Sequence, residues 1–297
     1  MRRIAAGPMK AGWRLAARCC TDMEWELSPD ILAYYQQARE HERLYSGAAQ
    51  LEFARTKEII RRWMSDSPAV VIDVGGGPGA YAAWLAGLGH EVHLVDPVPQ
   101  LVDQARALRN VRGPLIASCT VGDARALNRT DRSADVVLLL GPLYHIIDPG
   151  ERLRALREAY RVLVPGGLLF AAAISRFASV LDGLNRDLFA DPQFGRIVQR
   201  DLDTGVHDNR TGKLDYFTTA YFHRPEELRS EVTAAGFSML STLGIEGPGW
   251  LLADFDARWR DMRRREDLLR AARSLEAEPS IQGVSAHLLA IARRMEE

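Results

Sequence analysis

The sequence predicts a doubly wound α/β fold: a mainly parallel sheet with helices on both faces. Two observations carry that prediction. From Ala69 onward, short apolar runs rich in Val, Ile and Leu alternate with helical patterns. The glycine cluster Gly75-Gly76-Gly77-Pro78-Gly79 stands where the first such run turns into the first such helix. The chain's 297 residues suit one large domain with additions, and no apolar run approaches the roughly 20 residues that span a bilayer.

The elements follow in order. Ser28-Pro29 opens an expected helix that carries Tyr34 and Tyr35. Leu51, Phe53, Ile59, Ile60, Trp63 and Met64 recur at roughly helical spacing, which predicts a second helix over 51–64. Strand 70–74, helix 81–88 closed by Gly87 and Gly89, strand 91–95, helix 100–108 and strand 115–121 come next. Strand 135–140, helix 151–163, a turn at Pro165-Gly166-Gly167 and strand 168–174 complete the regular alternation. The pattern then lapses as far as Phe222, too long for a structureless loop, which predicts a helical insertion acting as a lid. Helix 225–235 and strands 238–245 and 287–292 restore it. Between those strands a single helix is expected over 255–275, its arginines balanced by Asp256, Asp261, Glu266 and Asp267 on a solvated face.

Domain organisation follows: an extension at 1–27, a helical cap at 28–66, a ligand-binding core at 67–175, the insertion at 176–223, and the rest of the fold at 224–297. With 38 basic and 39 acidic residues, net charge −1, the chain has no global positive field, so nucleic acid is not an expected partner and no membrane partner is indicated. Three cysteines, with Cys19 and Cys20 adjacent, supply no disulfide framework and fit a reducing cytoplasm. The arginine-rich N-terminus lacks an apolar signal core. The histidines form no HExxH pair and no GxSxG elbow is present, so neither a metal site nor a serine hydrolase is expected.

Asp73 precedes the glycine loop, whose backbone can approach a ligand without Cβ interference and aim helix N-terminal amides at it. Gly75, Gly77 and Ala80 also satisfy the spacing of dinucleotide sites, with Asp96 downstream at a compatible distance, so the loop alone leaves an NAD(P)-dependent oxidoreductase open. Three features favour a cofactor without phosphates. Asp73 can organise the loop or accept from an ammonium, and Pro78 removes an amide where a pyrophosphate wants one. Asp96-Pro97 and Gly122-Asp123-Ala124 then place one carboxylate after each of two strands, a pattern suited to ribose hydroxyls and an adenine amino group.

The succession DVGGGPG, LVDP, GDA, LLLGPLYHI and RVLVPGG resembles the motifs of class I S-adenosylmethionine-dependent methyltransferases, in particular the small-molecule group known as methyltransferase type 11. The resemblance covers about residues 70–174, with weaker likeness at 42–56 and in the final strand pair. It implies a Rossmann-like sheet of seven strands with the last antiparallel, and S-adenosyl-L-methionine lying across Gly75, Gly76, Gly77, Gly79, Asp96 and Asp123. Gly141-Pro142-Leu143-Tyr144 departs from the Asn/Asp-Pro-Pro-aromatic pattern of base and glutamine N-methyltransferases, which speaks against nucleic-acid bases as acceptors. A small molecule is the expected acceptor, methylated on O, N, C or S. A homodimer is compatible with the sequence, and so is a cofactor-binding regulator without turnover.

His145, after the fourth core strand, is the leading candidate for a general base, with a structural role equally open. Tyr144 is read either as facing the sulfonium or as packing. Tyr34 and Arg55 belong to the helices expected to fold over the cofactor, Arg55 against the methionyl carboxylate, although core packing or surface pairing competes for each. His207, Tyr216, Tyr221 and His223 fall where lids shape acceptor pockets.

Overall fold

The computed structural model describes residues 31, 34, 35, 40–111 and 116–296. The expected 1–27 extension lies outside the described residues. Of the helix expected to open at Ser28-Pro29, only Ile31, Tyr34 and Tyr35 are described, and they are helical.

Ahead of the sheet come α1 (Glu40–Arg43) and α2 (Ala49–Trp63). The core runs β1 (Val70–Val74), α3 (Ala80–Gly87), β2 (Glu91–Asp96), α4 (Pro99–Val111), β3 (Ser118–Val121), β4 (Ala134–Leu139), α5 (Pro142–His145), α6 (Pro149–Val162) and β5 (Leu163–Ser175). After it follow α7 (Ala178–Asn185), α8 (Pro192–Thr204), β6 (Val206–His207), β7 (Ala220–His223), α9 (Pro225–Ala234), β8 (Ser238–Gly244), α10 (Phe255–Arg260), α11 (Met262–Leu275) and β9 (His287–Arg293).

Seven strands form the main sheet in the order β3-β2-β1-β4-β5-β9-β8. β1 to β5 pair in parallel, and β9 runs antiparallel to both its neighbours. The chirality of parallel crossovers requires helices on both faces, and the side-chain alternation shows the result. Ile72, Val74, Val137 and Leu139 pack with Leu156 and Ala159 of α6 and Leu228 of α9. Val71, Val136, Leu138 and Phe170 pack on the other side with Ile59 and Ile60 of α2 and Leu85 of α3. Strands buried on both faces read as unbroken apolar runs, which is why this part of the fold is visible in the sequence.

Three expectations need correction. Among the described residues the sheet region has nine strands, because the insertion is not purely helical: after α7 and α8 it closes with the hairpin β6–β7. β7 pairs with Ile174 and Ser175 at the end of β5, beyond the end of β4, and so adds a wall at the carboxyl edge of the sheet. The helix expected over 255–275 is two helices, since Asp261 accepts a hydrogen bond from the Arg264 amide (3.0 Å) and caps α11. The Pro165-Gly166-Gly167 turn lies inside β5, where the β4–β5 register shifts between Ala134 and Val136 and Gly166 takes φ +79°. The arginines of α10 and α11 do meet intramolecular acids, among them Arg258 and Arg264 on Asp254 (both 2.6 Å). Among the described residues no helix is long and apolar enough to cross a membrane.

Candidate functional site

β1 ends at Val74, and the chain reverses over its own carboxyl edge through the glycine loop into α3. Two glycines there are required by space. A Cβ on Gly75, whose φ is +70°, would meet the Pro142 ring at 2.7 Å, and one on Gly76 would meet Asp73 Oδ2 at 2.7 Å. The loop is thus pressed between the post-β4 turn and the Asp73 carboxyl.

Asp73 is 1% exposed, and among the described residues neither of its carboxyl oxygens makes a well-formed hydrogen bond, the Ala82 amide being its one weak donor. Burial, then the neighbouring charge of Asp96, pushes it up to about 7, offset only in part by the Ala82 amide. Asp96 at the end of β2 is better served: Oδ2 accepts from the Gly77 amide and Oδ1 from the Val98 amide, both at 2.9 Å. It therefore fixes the glycine loop against the next turn. Asp123 is held by Arg125, whose backbone N–H, Nε and Nη2 donate to its two oxygens at 2.7–2.8 Å. Spacing alone did not reveal that pairing, and an adenine amino group approaching Asp123 has to share it with Arg125.

These residues line one cleft of about 650 Å³, within the range of roughly 300–1,000 Å³ usual for small-molecule sites. Asp73, Gly75, Gly76, Gly77, Asp96, Pro97, Gly122, Asp123, Ala124 and Gly141 all face it, as do Tyr34, Tyr144, His145, His207 and Tyr216. Gly79, which begins α3 at φ +90°, stands behind the loop against Ala105 and Ile116 and shapes it from below. The far lobe is aromatic. Tyr35 hydroxyl and His145 Nε2 are 2.6 Å apart, Tyr34 packs edge-on to Phe217 (5.4 Å), and Tyr144 packs with Ile174 and Phe222. Phe217 holds φ +68°, an unfavourable conformation for a bulky residue, and this strained residue projects into the cleft.

The remaining candidates sit elsewhere. Arg55 on α2 is fully buried and does not line the cleft: its guanidinium pairs with Glu58 (2.6 Å) and Glu276, so the methionyl-carboxylate role expected for it has no geometric support. Arg43 on α1 does line the cleft, as does Arg125, and it is bidentate on Glu52 (2.8 and 3.1 Å). Tyr221 and His223 also lie off the cleft. The Tyr221 ring covers Arg152 (3.7 Å), and His223, which burial pushes down, meets Glu231 at 3.2 Å. Arg152 in turn pairs with Glu231 and donates to the Ile146 and Ile147 carbonyls, so both aromatic residues brace the turn behind His145 rather than face an acceptor. His207 lines the cleft with its ring nitrogens against Asp201 (2.9 Å) and the Tyr216 carbonyl (2.6 Å), a brace for the insertion.

Sequence reasoning passed over Phe217, Trp250, Arg43, Glu52 and His287, all in the cleft wall. A signal existed for one of them. The first residue of an antiparallel last strand necessarily stands at the carboxyl edge of the parallel strands, and that residue is His287.

Residues 71–167 match the family model described as a methyltransferase domain. The chain is 33% identical over 156 residues to an uncharacterized methyltransferase of Mycobacterium tuberculosis, a match covering 52% of this chain and 56% of that protein. It is 30% identical over 192 residues to a ubiquinone biosynthesis O-methyltransferase of Methylocella silvestris, covering 62% and 65%. The chain thus spans little more than half the length of the first of these relatives. Its fold is similar to that of Burkholderia thailandensis 1,6-didemethyltoxoflavin-N1-methyltransferase, solved with its substrate and S-adenosylhomocysteine: TM-score 0.53 at 16% identity, covering 90% and 86% of the two chains.

Proposed function

Since this chain belongs, through residues 71–167, to the class I S-adenosylmethionine-dependent methyltransferases, we propose that it transfers the cofactor's methyl group to a hydroxyl on an aromatic small molecule. The observation that carries the cofactor half is the acid pair beneath the glycine loop. Among the described residues Asp73 has no well-formed hydrogen bond, only the weak help of the Ala82 amide, and Asp96 adds a second carboxylate. A pyrophosphate on that loop would face both acids, whereas a ligand with an ammonium and a sulfonium relieves them. This counts against a nicotinamide dinucleotide.

The acceptor half is supported by the aromatic lobe of Tyr34, Tyr35, Tyr144, Phe217 and Phe222, which suits a planar apolar body. The name of the Methylocella relative, which places it in ubiquinone biosynthesis as an O-methyltransferase, points the same way. When bound, S-adenosylmethionine supplies an electrophilic methyl with a good leaving group already attached. The chain's own work is then to align the acceptor and exclude water. Asp96 and the loop it ties down hold one partner, and the aromatic lobe the other.

Calorimetric titration with S-adenosylmethionine, S-adenosylhomocysteine and NADH tests the cofactor half. Both sulfur ligands are expected to bind, and Asp96→Ala to weaken them about 100-fold, the loss of one or two charge-assisted hydrogen bonds at 1.5–3 kcal/mol each. Binding of NADH alone overturns the reading.

A further inference from the structure

A second polar cluster in the cleft wall is formed by His287, Glu52 and Arg43, with Glu246 buried behind His287. Burial alone would push His287 down, but the charges of Glu52 and Glu246 outweigh it and hold it up at about 8. His287 begins β9, and its amide donates to Glu246 Oε2 (3.1 Å) while its Nδ1 lies 2.6 Å from Glu246 Oε1. Glu52 of α2 stands behind, 3.8 Å from Nδ1, with its two oxygens taken by Arg43. From α3, Tyr81 faces the same two carboxylates. With Nδ1 committed to Glu246, the other ring nitrogen, Nε2, makes no hydrogen bond among the described residues, and the residue lines the cleft.

His287 lies on the acceptor side. The β5–β9 register sets it beside Ile174, and Ile174 packs against Tyr144 in the post-β4 turn. An imidazole whose inner nitrogen rests on a buried carboxylate while the outer one meets the ligand space has the geometry of an oriented general base. Glu52, Glu246 and His287 offer ligand atoms within 4.8 Å of one another, but Arg43 already neutralises Glu52, which favours proton handling over cation binding.

We propose that His287, oriented by Glu246, takes the proton of the acceptor hydroxyl during methyl transfer. This inference rests on the aromatic-hydroxyl reading above. As an oxygen lone pair forms the new C–O bond, the O–H proton passes to His287 Nε2 and the C–S electron pair leaves with sulfur. The products are a methyl ether, a neutral thioether and an imidazolium balanced by Glu246. Glu246 is a positioning residue, and His145, already engaged by Tyr35, is left to shape the lobe.

The test uses 4-nitrophenol, 4-nitrocatechol and benzene-1,4-diol as acceptor probes, with S-adenosylhomocysteine affinity measured in parallel. In the wild type, kcat/KM for benzene-1,4-diol, whose hydroxyls stay protonated across this range, should rise with pH through an inflection near 8. His287→Ala should lower kcat/KM about 100-fold, erase the inflection, leave S-adenosylhomocysteine affinity unchanged and recover activity with added imidazole. Glu246→Gln, which keeps the imidazole, should move the inflection down. Independently of turnover, 4-nitrocatechol bound to the S-adenosylhomocysteine complex should show its phenolate absorbance at lower pH in the wild type than in His287→Ala. Undiminished transfer in His287→Ala, or parallel loss of cofactor affinity in both variants, overturns the role of His287 alone. Failure of the wild type to bind or methylate any of the three probes overturns the aromatic-hydroxyl reading, and this inference with it.

Discussion

Asp73→Asn is expected to stabilise the cofactor-free protein by about 4 kcal/mol at pH 8, taking 1.36 kcal/mol per pKa unit, and to do so much less at pH 5. The carboxyl is buried against Asp96 and titrates near 7 in the fold against 3.8 in its ordinary state. A carboxylate whose folded pKa is raised favours the fold below its unfolded value, and that contribution is lost as pH rises. Here the loss begins near 3.8 and is complete above about 7. An asparagine of the same shape never ionises, so the gap between variant and wild type should open across that window and then stay level. Urea denaturation at pH 5 and pH 8 checks it, and a variant no more stable than wild type at pH 8 would show that the carboxylate has donors enough to remain charged. The same substitution should weaken S-adenosylhomocysteine, because the strain in the empty site is relieved by the ligand's ammonium. Stability gained and affinity lost at one residue is the trade expected of a binding site held in an unfavourable electrostatic state.

That acid pair also marks where the sequence was legible. Asp73, the glycines, Asp96 and Asp123 are consecutive features of strand ends, and in a doubly wound sheet every parallel strand delivers its carboxyl end to the same edge. Local order along the chain therefore converts directly into proximity in space. The core strands were readable for a related reason, since burial on both faces leaves them predominantly apolar, with carboxylates confined to their ends. What could not be read were pairings made across long separations. Glu276 on Arg55 and Glu246 on His287 each depend on the placement of side chains that no periodicity encodes, and even the local pairing of Arg125 with Asp123 rests on a side-chain conformation that spacing does not fix. Tyr221 and His223 were expected at the acceptor because they lie in the insertion, but β7 turns them toward Arg152. The hairpin strand β6 is two residues long, too short to show an alternating pattern. Asp261 was read as one acid among balanced charges, whereas its hydrogen bond to the Arg264 amide makes it a helix cap.

The corrected role of Arg55 leads to the other large effect. Arg55 is fully buried, and its guanidinium is shared between Glu58, itself bound to Arg273 of α11 (2.6 Å), and Glu276, which also holds Arg62. Removing one partner of a buried pair costs more than the pair contributes, because the remaining charge keeps its desolvation penalty and loses its compensation. Glu276→Ala is therefore expected to destabilise the fold by about 3 kcal/mol, the lower end of the range for such truncations since Glu58 remains. Arg55→Met should cost less, as it removes the buried charge itself, and the double variant should be more stable than the sum of the two single changes predicts. Thermal or urea unfolding of the three variants gives the coupling directly, and strict additivity would mean that the contact carries no net energy. The consequence reaches the cleft. Arg55 ties one side of α2 to the segment that ends α11, while Glu52, three residues earlier on the same helix, stands beside His287. Loosening the buried contact should disturb the Glu52 side of the His287 cluster more than the glycine loop, so Glu276→Ala should lower acceptor turnover by a larger factor than it lowers S-adenosylhomocysteine affinity.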